Sequence, residues 1–400
     1  MGKITVPQED FPRTADVVII GGGIVGAATA FFVSHAGLDA IVVERRDALG
    51  TLTTAASVEC FRAQFSEPEN VQMMLTSIEI FDHFAEVIGI PGYDINLHYQ
   101  GYLFITDAED GEKTLRARVA HQQSIGLKDV EFLEGDEVRA RFPYASPTVT
   151  AGTYRAKEGW LSAHEVTYGF AKGSKAQFCL RTEVSGIVVK GGRVHTVLTN
   201  RGPVDTPRIV IAAGPFSGVV ARMAGVELPL CILRRQKTII GEHPLIPRHA
   251  PMTIDDIRGA YWRPEGGGAA LGWALPEEPS EPSENVPADW TFAAIVLEGV
   301  SHLSPFFEQV AAGLKREDVF TSAGQYTCTP DSKPIIGPSP DVEGLYFNLG
   351  YSGHGIMGSP AGGKLTAKLM VGEISTSENP FRFERFAEKR ELTAAEKIVI

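Results

Sequence analysis

The sequence has few of the residues that build disulfide frameworks and zinc sites. Its four cysteines (Cys60, Cys179, Cys231 and Cys328) are scattered and form no C-x-x-C pair. Cysteines spaced in this way support neither a disulfide scaffold nor a set of zinc ligands. We therefore expect no metal site, and we expect a reducing compartment, the cytoplasm.

Long apolar runs are also missing. No run approaches the roughly 18 apolar residues that a membrane-spanning helix needs. Residues 1–14 are polar and include Pro7 and Pro12, which is unlike a signal peptide. We therefore expect no membrane span and no secretion.

Basic residues are in deficit, with 37 Lys and Arg against 49 Asp and Glu, for a net charge of -12. No basic cluster is interleaved with aromatic residues, so a nucleic-acid partner is not expected. The 400 residues are 44% hydrophobic, which is enough to bury a large core. This length suits two domains or one large composite domain.

Val17 to Glu44 carries the first strong motif and reads VVIIGGGIVGAATAFFVSHAGLDAIVVE. It predicts a strand, a glycine turn, a helix and a second strand, with the spacing G-x-G-x-x-G. Gly21 permits the tight turn, Gly23 lets the backbone approach a pyrophosphate, and Gly26 allows close helix packing. Glu44 follows at the distance suited to ribose hydroxyls. The motif predicts a dinucleotide site, against the alternative of a buried turn, and leaves NAD and FAD open.

A second glycine-rich turn, Gly350 to Gly355, precedes a predicted helix over residues 356–370. A second helix N-terminus can stabilise a ring that becomes anionic on reduction, as a flavin does, whereas an NAD enzyme needs no such site. This turn favours FAD. The run of small residues from Gly50 to Ser57 suits a segment against a planar ligand, although an ordinary loop is the alternative.

The rest of the chain predicts a composite fold. We expect an α/β (α+β) protein in which a Rossmann-like FAD-binding domain carries an inserted, mainly antiparallel sheet that binds substrate. We expect a helix over residues 70–88, a three-stranded group ending at Ile211, and an exposed acidic loop over residues 276–287. The expected divisions are 1–90, 145–229 and 320–390 for the FAD-binding domain, 91–144 and 230–319 for the substrate domain, and 391–400 for a tail.

Five separated segments carry a family resemblance: VVIIGGGIVGAATA, IVIAAGPFSGVVARMAG, YWRPEGGGAALG, TPDSKPIIGPSPDVEGLYF and GYSGHGIMGSPAGGK. In this order they resemble the D-amino-acid oxidase-like superfamily of FAD-dependent oxidoreductases. The branch with sarcosine oxidases, their β subunits, dimethylglycine dehydrogenase and glycine oxidase is the most similar. The resemblance spans nearly the whole chain and is specific for fold and cofactor, and much less so for substrate.

The resemblance implies roles for individual residues. For the cofactor it implies Gly21, Gly23, Gly26, Glu44 and Arg45 at the ADP half, Thr53, Thr54 and Ser57 near the pyrophosphate or ribityl chain, Val184 at the adenine, Ala213 and Gly214 beside the nucleotide, and Gly353, Gly355, Ile356 and Met357 along the flavin O2 side. For catalysis it implies Arg62 at the substrate carboxylate, with Tyr326 and His354 in the active site.

Each of these predicted catalytic residues could instead have a structural role. Arg62 could be a structural ion pair, Tyr326 a core residue, and His354 a cap of its turn. Arg234 and Arg235 could also serve a carboxylate, but a solvated strand edge is the preferred interpretation for them.

Two departures from the family concern the link to the flavin. Gly324 stands where monomeric sarcosine oxidase has the cysteine that carries covalent flavin. The Trp-His pair that carries it in dimethylglycine dehydrogenase is absent from residues 53–58. We therefore expect non-covalent FAD, with a link to Cys328 as the alternative.

Three further departures concern the substrate. Ala270, Ala274 and Met357 stand where monomeric sarcosine oxidase has polar residues linked to oxygen activation and carboxylate binding. The loss of these polar residues predicts a substrate that is bulkier than sarcosine or is recognised less through its carboxylate. A dehydrogenase that passes electrons to a protein or a quinone is then as open as an oxidase that uses O2.

The resemblance implies oxidation of a CH-NH bond of an amino acid or an N-methylated or secondary amine. A hydride would pass to flavin N5, and the resulting imine would be hydrolysed. Two alternatives remain: a 2-hydroxy-acid dehydrogenase or oxidase, and a non-catalytic FAD subunit of a hetero-oligomer. Homo- and hetero-oligomers are both left open.

Overall fold

The computed structural model describes residues 3–5 and 11–388. The predicted tail, 391–400, lies outside the described residues, as do residues 1–2 and 6–10 of the N-terminal segment. Its strands, in chain order, are β1 (Lys3–Thr5), β2 (Val17–Ile20), β3 (Ala40–Val43), β4 (Cys60–Phe61), β5 (Tyr102–Thr106), β6 (Glu131–Glu134), β7 (Ala151–Arg155), β8 (Gly159–Trp160), β9 (Gln177–Cys179), β10 (Val184–Lys190), β11 (Arg193–Thr199), β12 (Gly202–Asp205), β13 (Ile209–Ile211), β14 (Cys231–Ile240), β15 (Met252–Asp255), β16 (Ala260–Glu265), β17 (Gly268–Trp273), β18 (Val319–Cys328), β19 (Ile335–Pro338) and β20 (Leu345–Leu349).

The α-helices are α1 (Ile24–His35), α2 (Thr53–Ala56), α3 (Pro68–Asp82), α4 (Phe84–Val87), α5 (Gly111–Ser124), α6 (Gly135–Arg141), α7 (Ala163–Gly173), α8 (Ser217–Met223), α9 (Phe292–Ser301), α10 (Phe306–Gly313) and α11 (Gly355–Met370). Short 3-10 helices lie at Gly214–Phe216, Arg316–Asp318, Thr376–Glu378 and Phe383–Phe386.

A parallel sheet forms the nucleotide-binding part of the fold. Within the described residues it has seven strands in the order β1-β9-β3-β2-β13-β20-β19. Every neighbouring pair is parallel except β19 with β20. The strands are short apolar runs because both faces are covered. Side chains alternate between faces, so Val17 and Ile19 join one core cluster while Val18 and Ile20 join another.

The two faces of this sheet are covered by different layers. Helices α1, α3, α7 and α11 contribute to the core on one face. The antiparallel sheet β10-β11-β12 and helix α8 contribute to the core on the other face. The first and last large helices, α1 and α11, pack directly against each other. This contact brings the two glycine-rich turns of the sequence into the same region.

A second large sheet, in the order β18-β14-β17-β16-β15-β5-β7-β6, is antiparallel except for the pair β15 and β5. Helices α9 and α10 cover part of it, and α6 packs with its outer strands. The predicted fold class, a Rossmann-like domain with an inserted, mainly antiparallel sheet, is confirmed.

Strand membership differs from the expected divisions at two places. Strands β7 and β18 belong to the antiparallel sheet, although the expected divisions assign nearly all of both to the FAD-binding domain. β18 pairs with β14 along its whole length, from Val319 opposite Ile240 to Cys328 opposite Cys231. A regular strand was not predicted here because the segment contains Gly324, and glycine weakens a strand prediction.

Three local predictions also change. The third strand of the small sheet is β12, whereas Ile209–Ile211 joins the parallel sheet because it is apolar on both faces. The helix expected over residues 70–88 is divided into α3 and α4 at His83. At Arg234 and Arg235, strand β14 pairs with β18 alone, because its pairing with β17 begins at Lys237. Both side chains are half-buried and donate hydrogen bonds to residues of the segment 275–287, so the interpretation of them as solvated is wrong.

Candidate functional site

An extended cleft runs between the carboxyl ends of the parallel strands and the antiparallel sheet. The carboxyl edge of a parallel sheet is where such folds bind their ligands. The residues that line the cleft come from the turn after β2, the segment from Val43 to Val58, the start of β10, the end of β13, the strands β14 and β18, and the stretch from Asn348 to Ile356 without His354.

The first glycine turn packs too closely to accept side chains. Gly21 has a φ of 114°, and a Cβ there would lie 2.4 Å from the Ala212 carbonyl oxygen. A Cβ on Gly26 would lie 1.9 Å from the carbonyl oxygen of Gly21. Gly23, the N-cap of α1, lines the cleft and leaves the helix N-terminus open toward it. This end of the cleft therefore fits a pyrophosphate.

Glu44 is held in place by backbone N–H groups. Its Oε2 accepts from the Gly22 N–H at 2.7 Å, and its Oε1 accepts from the Arg46 N–H at 2.8 Å. Each carboxylate oxygen has a second lone pair, so the group can still accept hydrogen bonds from ribose hydroxyls. The Arg45 guanidinium stacks on the Phe216 ring at 3.8 Å.

The acidic loop crosses to this end of the cleft. We call residues 276–287 the strap. Glu284 of the strap pairs with Arg45 at 3.0 Å and with Arg46 at 3.4 Å. Gln325 of β18 holds the strap at Ser283, whose N–H donates to the Gln325 Oε1 at 2.8 Å. The strap therefore connects the antiparallel sheet with the end of the cleft that holds Glu44 and Arg45.

The small residues around α2 lie in the cleft as the sequence predicts. The Thr54 Oγ1 accepts from the N–H of Ile24 at the start of α1, at 3.3 Å. Thr53 Oγ1 donates to the Gln325 carbonyl at 3.2 Å, and Ser57 Oγ donates to the Thr54 carbonyl at 2.8 Å. Val184, Ala213 and Gly214 also line the cleft.

The second glycine turn forms the other end. Gly353 has a φ of 97°, and a Cβ there would lie 2.4 Å from the Tyr326 ring. Helix α11 begins at Gly355, and its first turn holds no acidic residue. Gly353, Gly355 and Ile356 line the cleft, whereas the side chain of Met357 is buried in the hydrophobic core.

His354 is a buried, neutral imidazole. Burial, and then the nearby Arg62 charge, lower its pKa from 6.5 to about 3. Its Nε2 has no hydrogen-bond partner among the described residues, and its ring meets Phe65 edge-on at 5.0 Å. At ordinary pH it can accept a hydrogen bond through one ring nitrogen and donate through the other.

Arg62 lies behind the cleft and does not line it. Its side chain is 2% exposed, its guanidinium stacks on Phe65 at 3.9 Å, and its Nη1 donates to the Gln64 carbonyl. The fully buried Glu158 accepts from the N–H of Ala63 at 2.6 Å and of Gln64 at 3.1 Å, which fixes this turn. Burial raises the pKa of Glu158.

Tyr326 lines the cleft from β18. Burial raises its pKa to about 12, so its hydroxyl stays protonated and can donate. Tyr261 of β16 lines the same region. Sequence reasoning missed Tyr261 and Lys237, and it assigned Arg235 to solvent. The period-two spacing of Arg235 and Lys237 on β14 was the available signal, because residues two apart share a face of a strand.

The residues that depart from the family pattern differ in whether they line the cleft. Gly324 lines the cleft, and a Cβ there would lie 2.7 Å from that of Ala56. Cys328 does not line the cleft, and burial raises the pKa of its thiol to about 11. Ala270 and Ala274 do not line it either.

The residues present fit FAD. Two helix N-termini, two glycine-rich turns, and an oriented carboxylate lie along one cleft that reaches from Glu44 to Gly353. In the part of the chain that the structure describes, no group of three acidic, His or Cys residues could hold a metal ion. The same residues include no helix long and apolar enough to cross a membrane.

These features define a flavin-dependent oxidoreductase. A family model described as FAD dependent oxidoreductase (DAO) matches residues 16–369, and the chain belongs to this family. It is an FAD-dependent enzyme whose relatives include amino-acid dehydrogenases and oxidases.

Among its relatives is the FAD-dependent oxidoreductase domain-containing protein 1 of Bos taurus, which is 29% identical over 94% of this chain and 85% of its own length. The sarcosine oxidase subunit beta of Arthrobacter sp is 24% identical over 94% and 91%. The crystal structure of L-proline dehydrogenase from P. horikoshii has a TM-score of 0.82 and 26% identity, and covers 94% of this chain and 99% of that one. The predicted membership of the D-amino-acid oxidase-like superfamily is confirmed.

Proposed function

We propose that this protein oxidises a CH-NH bond of an amino acid or of an N-methylated or secondary amine. The main support is that Tyr326 packs against Gly353 at the flavin end of the same cleft whose other end fits the ADP half. FAD, when bound, accepts the hydrogen and the electron pair of a C-H bond next to nitrogen. Proteins that act on proline and sarcosine are among the relatives.

The residues of this chain would bind, orient and exclude water. Gly21, Gly23 and the α1 N-terminus would hold the pyrophosphate, and Glu44 the ribose. The Tyr326 hydroxyl, kept protonated by its raised pKa, would donate to a polar group of the substrate. His354, which is neutral and does not itself line the cleft, would add no positive charge near the amine.

We also propose that the FAD is held without a covalent link. Gly324 offers no nucleophile, and the protonated thiol of Cys328 lies outside the cleft. Denaturation in acid should release all of the flavin into the supernatant. Flavin that stays with the precipitated protein would contradict this proposal.

A reducing compartment such as the cytoplasm is part of the proposal. All four cysteines are free thiols. Cys231 and Cys328 lie opposite each other in the register of β14 and β18, and Cys328 is held as a protonated thiol. Thiols placed in this way persist where the surroundings are reducing.

The test is anaerobic bleaching of the purified yellow protein. The panel comprises N-methyl amino acids, proline, other amino acids, simple amines and 2-hydroxy acids, each followed by admission of air. We expect amines to bleach the flavin and hydroxy acids to leave it oxidised. Failure of every amine would overturn the proposal, and bleaching by a hydroxy acid alone would replace it with the hydroxy-acid alternative.

The second stage of the same experiment identifies the acceptor. Rapid return of colour in air indicates an oxidase that uses O2. Slow return in air, with fast return on addition of a quinone or a dye, indicates a dehydrogenase.

A further inference from the structure

One arginine of the cleft has no carboxylate partner among the described residues. Arg235 lies in β14 opposite Gly324 of β18 and lines the cleft. Its Nη1 donates to the carbonyls of Arg234 at 2.9 Å and Leu275 at 3.3 Å, while its buried Nε has no acceptor. Among the described residues, no carboxylate lies within ion-pairing distance of it. A half-buried guanidinium left in this state is poised for an anion from outside the chain.

The charges of the cleft are distributed unevenly. Its acidic residues, Glu44 and Glu183, both line the ADP end. At the other end the lining includes Arg235 and Lys237 and no acidic residue. Lys237 donates through its Nζ to the carbonyls of Ala55 and Ser57. Arg235 instead keeps a buried donor, its Nε, that no acceptor of the described residues meets.

The neighbouring arginines are occupied differently. Arg234, on the opposite face of β14, pairs with Glu277 at 3.1 Å and donates to the Pro287 carbonyl. Arg62 lies behind the cleft, as described above. Opposite Arg235 in the register of β18 is Gly324, which carries no side chain that would cover the guanidinium. The Tyr326 ring lies 5.8 Å from the guanidinium carbon.

We propose that Arg235 binds a carboxylate of the substrate and so selects amines that carry a carboxylate over amines that carry none. This rests on the proposed function, because the substrate must be an amine oxidised in this cleft. The guanidinium fork presents parallel N–H donors that match the two oxygens of a carboxylate. The carboxylate is either that of the amino-acid core or a second one in the side chain, and the experiment separates the two.

The experiment titrates the holoenzyme with probes that the flavin cannot oxidise and follows its visible absorbance. The probes are pyrrole-2-carboxylate, the neutral pyrrole-2-carboxamide, and pyrrole-2,5-dicarboxylate. We expect Arg235→Leu to weaken binding of a carboxylate probe about 10- to 100-fold, as for a lost hydrogen bond to a charged group. Binding of the carboxamide should not change, and Arg235→Lys should be intermediate.

Arg234→Leu is the matched control, and it should bind all three probes as the wild type does. Equal weakening of both acids by Arg235→Leu assigns the core carboxylate, and weakening of the diacid alone assigns the side-chain carboxylate. Carboxylate binding that is unchanged in Arg235→Leu, a carboxamide loss as large as the carboxylate loss, or no spectral response of the wild type to either acid would overturn the inference.

The two proposals can fail separately. Bleaching of the wild type by amines tests the function, whereas the probe titrations need no turnover. Flavin content and melting temperature of each variant show whether it has folded. If Arg235→Leu does not fold, Arg235→Lys and Arg235→Gln must still lose affinity for the carboxylate relative to the carboxamide.

Discussion

Arg62 and His354 lie close enough for the guanidinium charge to lower the imidazole pKa. The family resemblance implies that Arg62 binds a carboxylate, but its side chain is 2% exposed and stacks on Phe65. In this position it is better placed to shape the surroundings of His354 than to meet a substrate in the cleft. The two roles make different predictions.

Replacement of Arg62 by Lys should raise the apparent substrate constant about tenfold and leave the flavin content intact. Lys retains the charge but loses the planar stack on Phe65 and part of the hydrogen bonding that fixes the turn. Steady-state kinetics measures the apparent substrate constant. The ratio of the absorbance at about 450 nm to that at about 280 nm measures the flavin content.

The probes used for Arg235 separate the roles of Arg62. If Arg62 is a positioning residue, Arg62→Lys should weaken the binding of pyrrole-2-carboxylate and of pyrrole-2-carboxamide alike. A loss confined to the carboxylate would restore Arg62 as the carboxylate ligand. Loss of FAD instead would show that Arg62 acts in the structure of the cofactor site.

His354 predicts an acid-sensitive fold. Its pKa is lowered from 6.5 to about 3, so the unfolded chain holds more protons than the folded chain between these values. Stability therefore falls as the pH drops through this window. Between pH 7.5 and pH 5 the wild type should lose about 2 kcal/mol more than His354→Gln does.

Urea unfolding at the two pH values measures this difference. The exposed His164 provides the control, since His164→Gln should lose as much stability as the wild type. Equal losses in the wild type and in His354→Gln would show that the imidazole is not kept neutral by the fold.

At the scale of elements, the strap is the feature that sequence composition describes least well. An acidic Pro/Glu/Ser segment is typical of solvated chain. Here Glu284 pairs with Arg45 and Arg46, and Gln325 donates through its Nε2 to the Glu281 carbonyl at 2.7 Å. The strap therefore lies across the arginines at the ADP end of the cofactor site.

Loosening the strap should speed the release of FAD. Glu284→Gln removes both ion pairs, and because each exposed pair is worth up to about 1 kcal/mol, the dissociation rate should rise between a few-fold and about 30-fold. Flavin fluorescence after dilution of the holoenzyme follows the release. Glu278→Gln changes the strap charge equally without removing these pairs and should release FAD at the wild-type rate. Equal rates in both variants would contradict a restraining strap.

The glycine turns show which elements local sequence can predict. The turn between β2 and α1 is built from consecutive residues, so its spacing, its strand and its helix could all be read together. β18 could not be recognised in the same way. Its regular pairing depends on β14, which lies about ninety residues earlier in the chain.

At the scale of the whole molecule, the site exists because two sheets meet. The parallel sheet contributes the turns and helix ends that fit the cofactor, and the antiparallel sheet contributes Arg235, Tyr261 and Tyr326. Packing of α1 against α11 brings together glycine turns separated by more than three hundred residues. Neither sheet alone contains the cleft.

Glycine turns, buried strands and their order along the chain are local patterns, so the family, the fold class and FAD could be predicted without a structure. Tyr326 and most of the residues that the family resemblance assigns to FAD line the cleft. The burial of Arg62 behind the cleft, the unpaired Nε of Arg235 and the ion pairs of Glu284 in the strap are visible only in the tertiary structure. The physical reason is that burial and charge pairing depend on residues far apart in the chain.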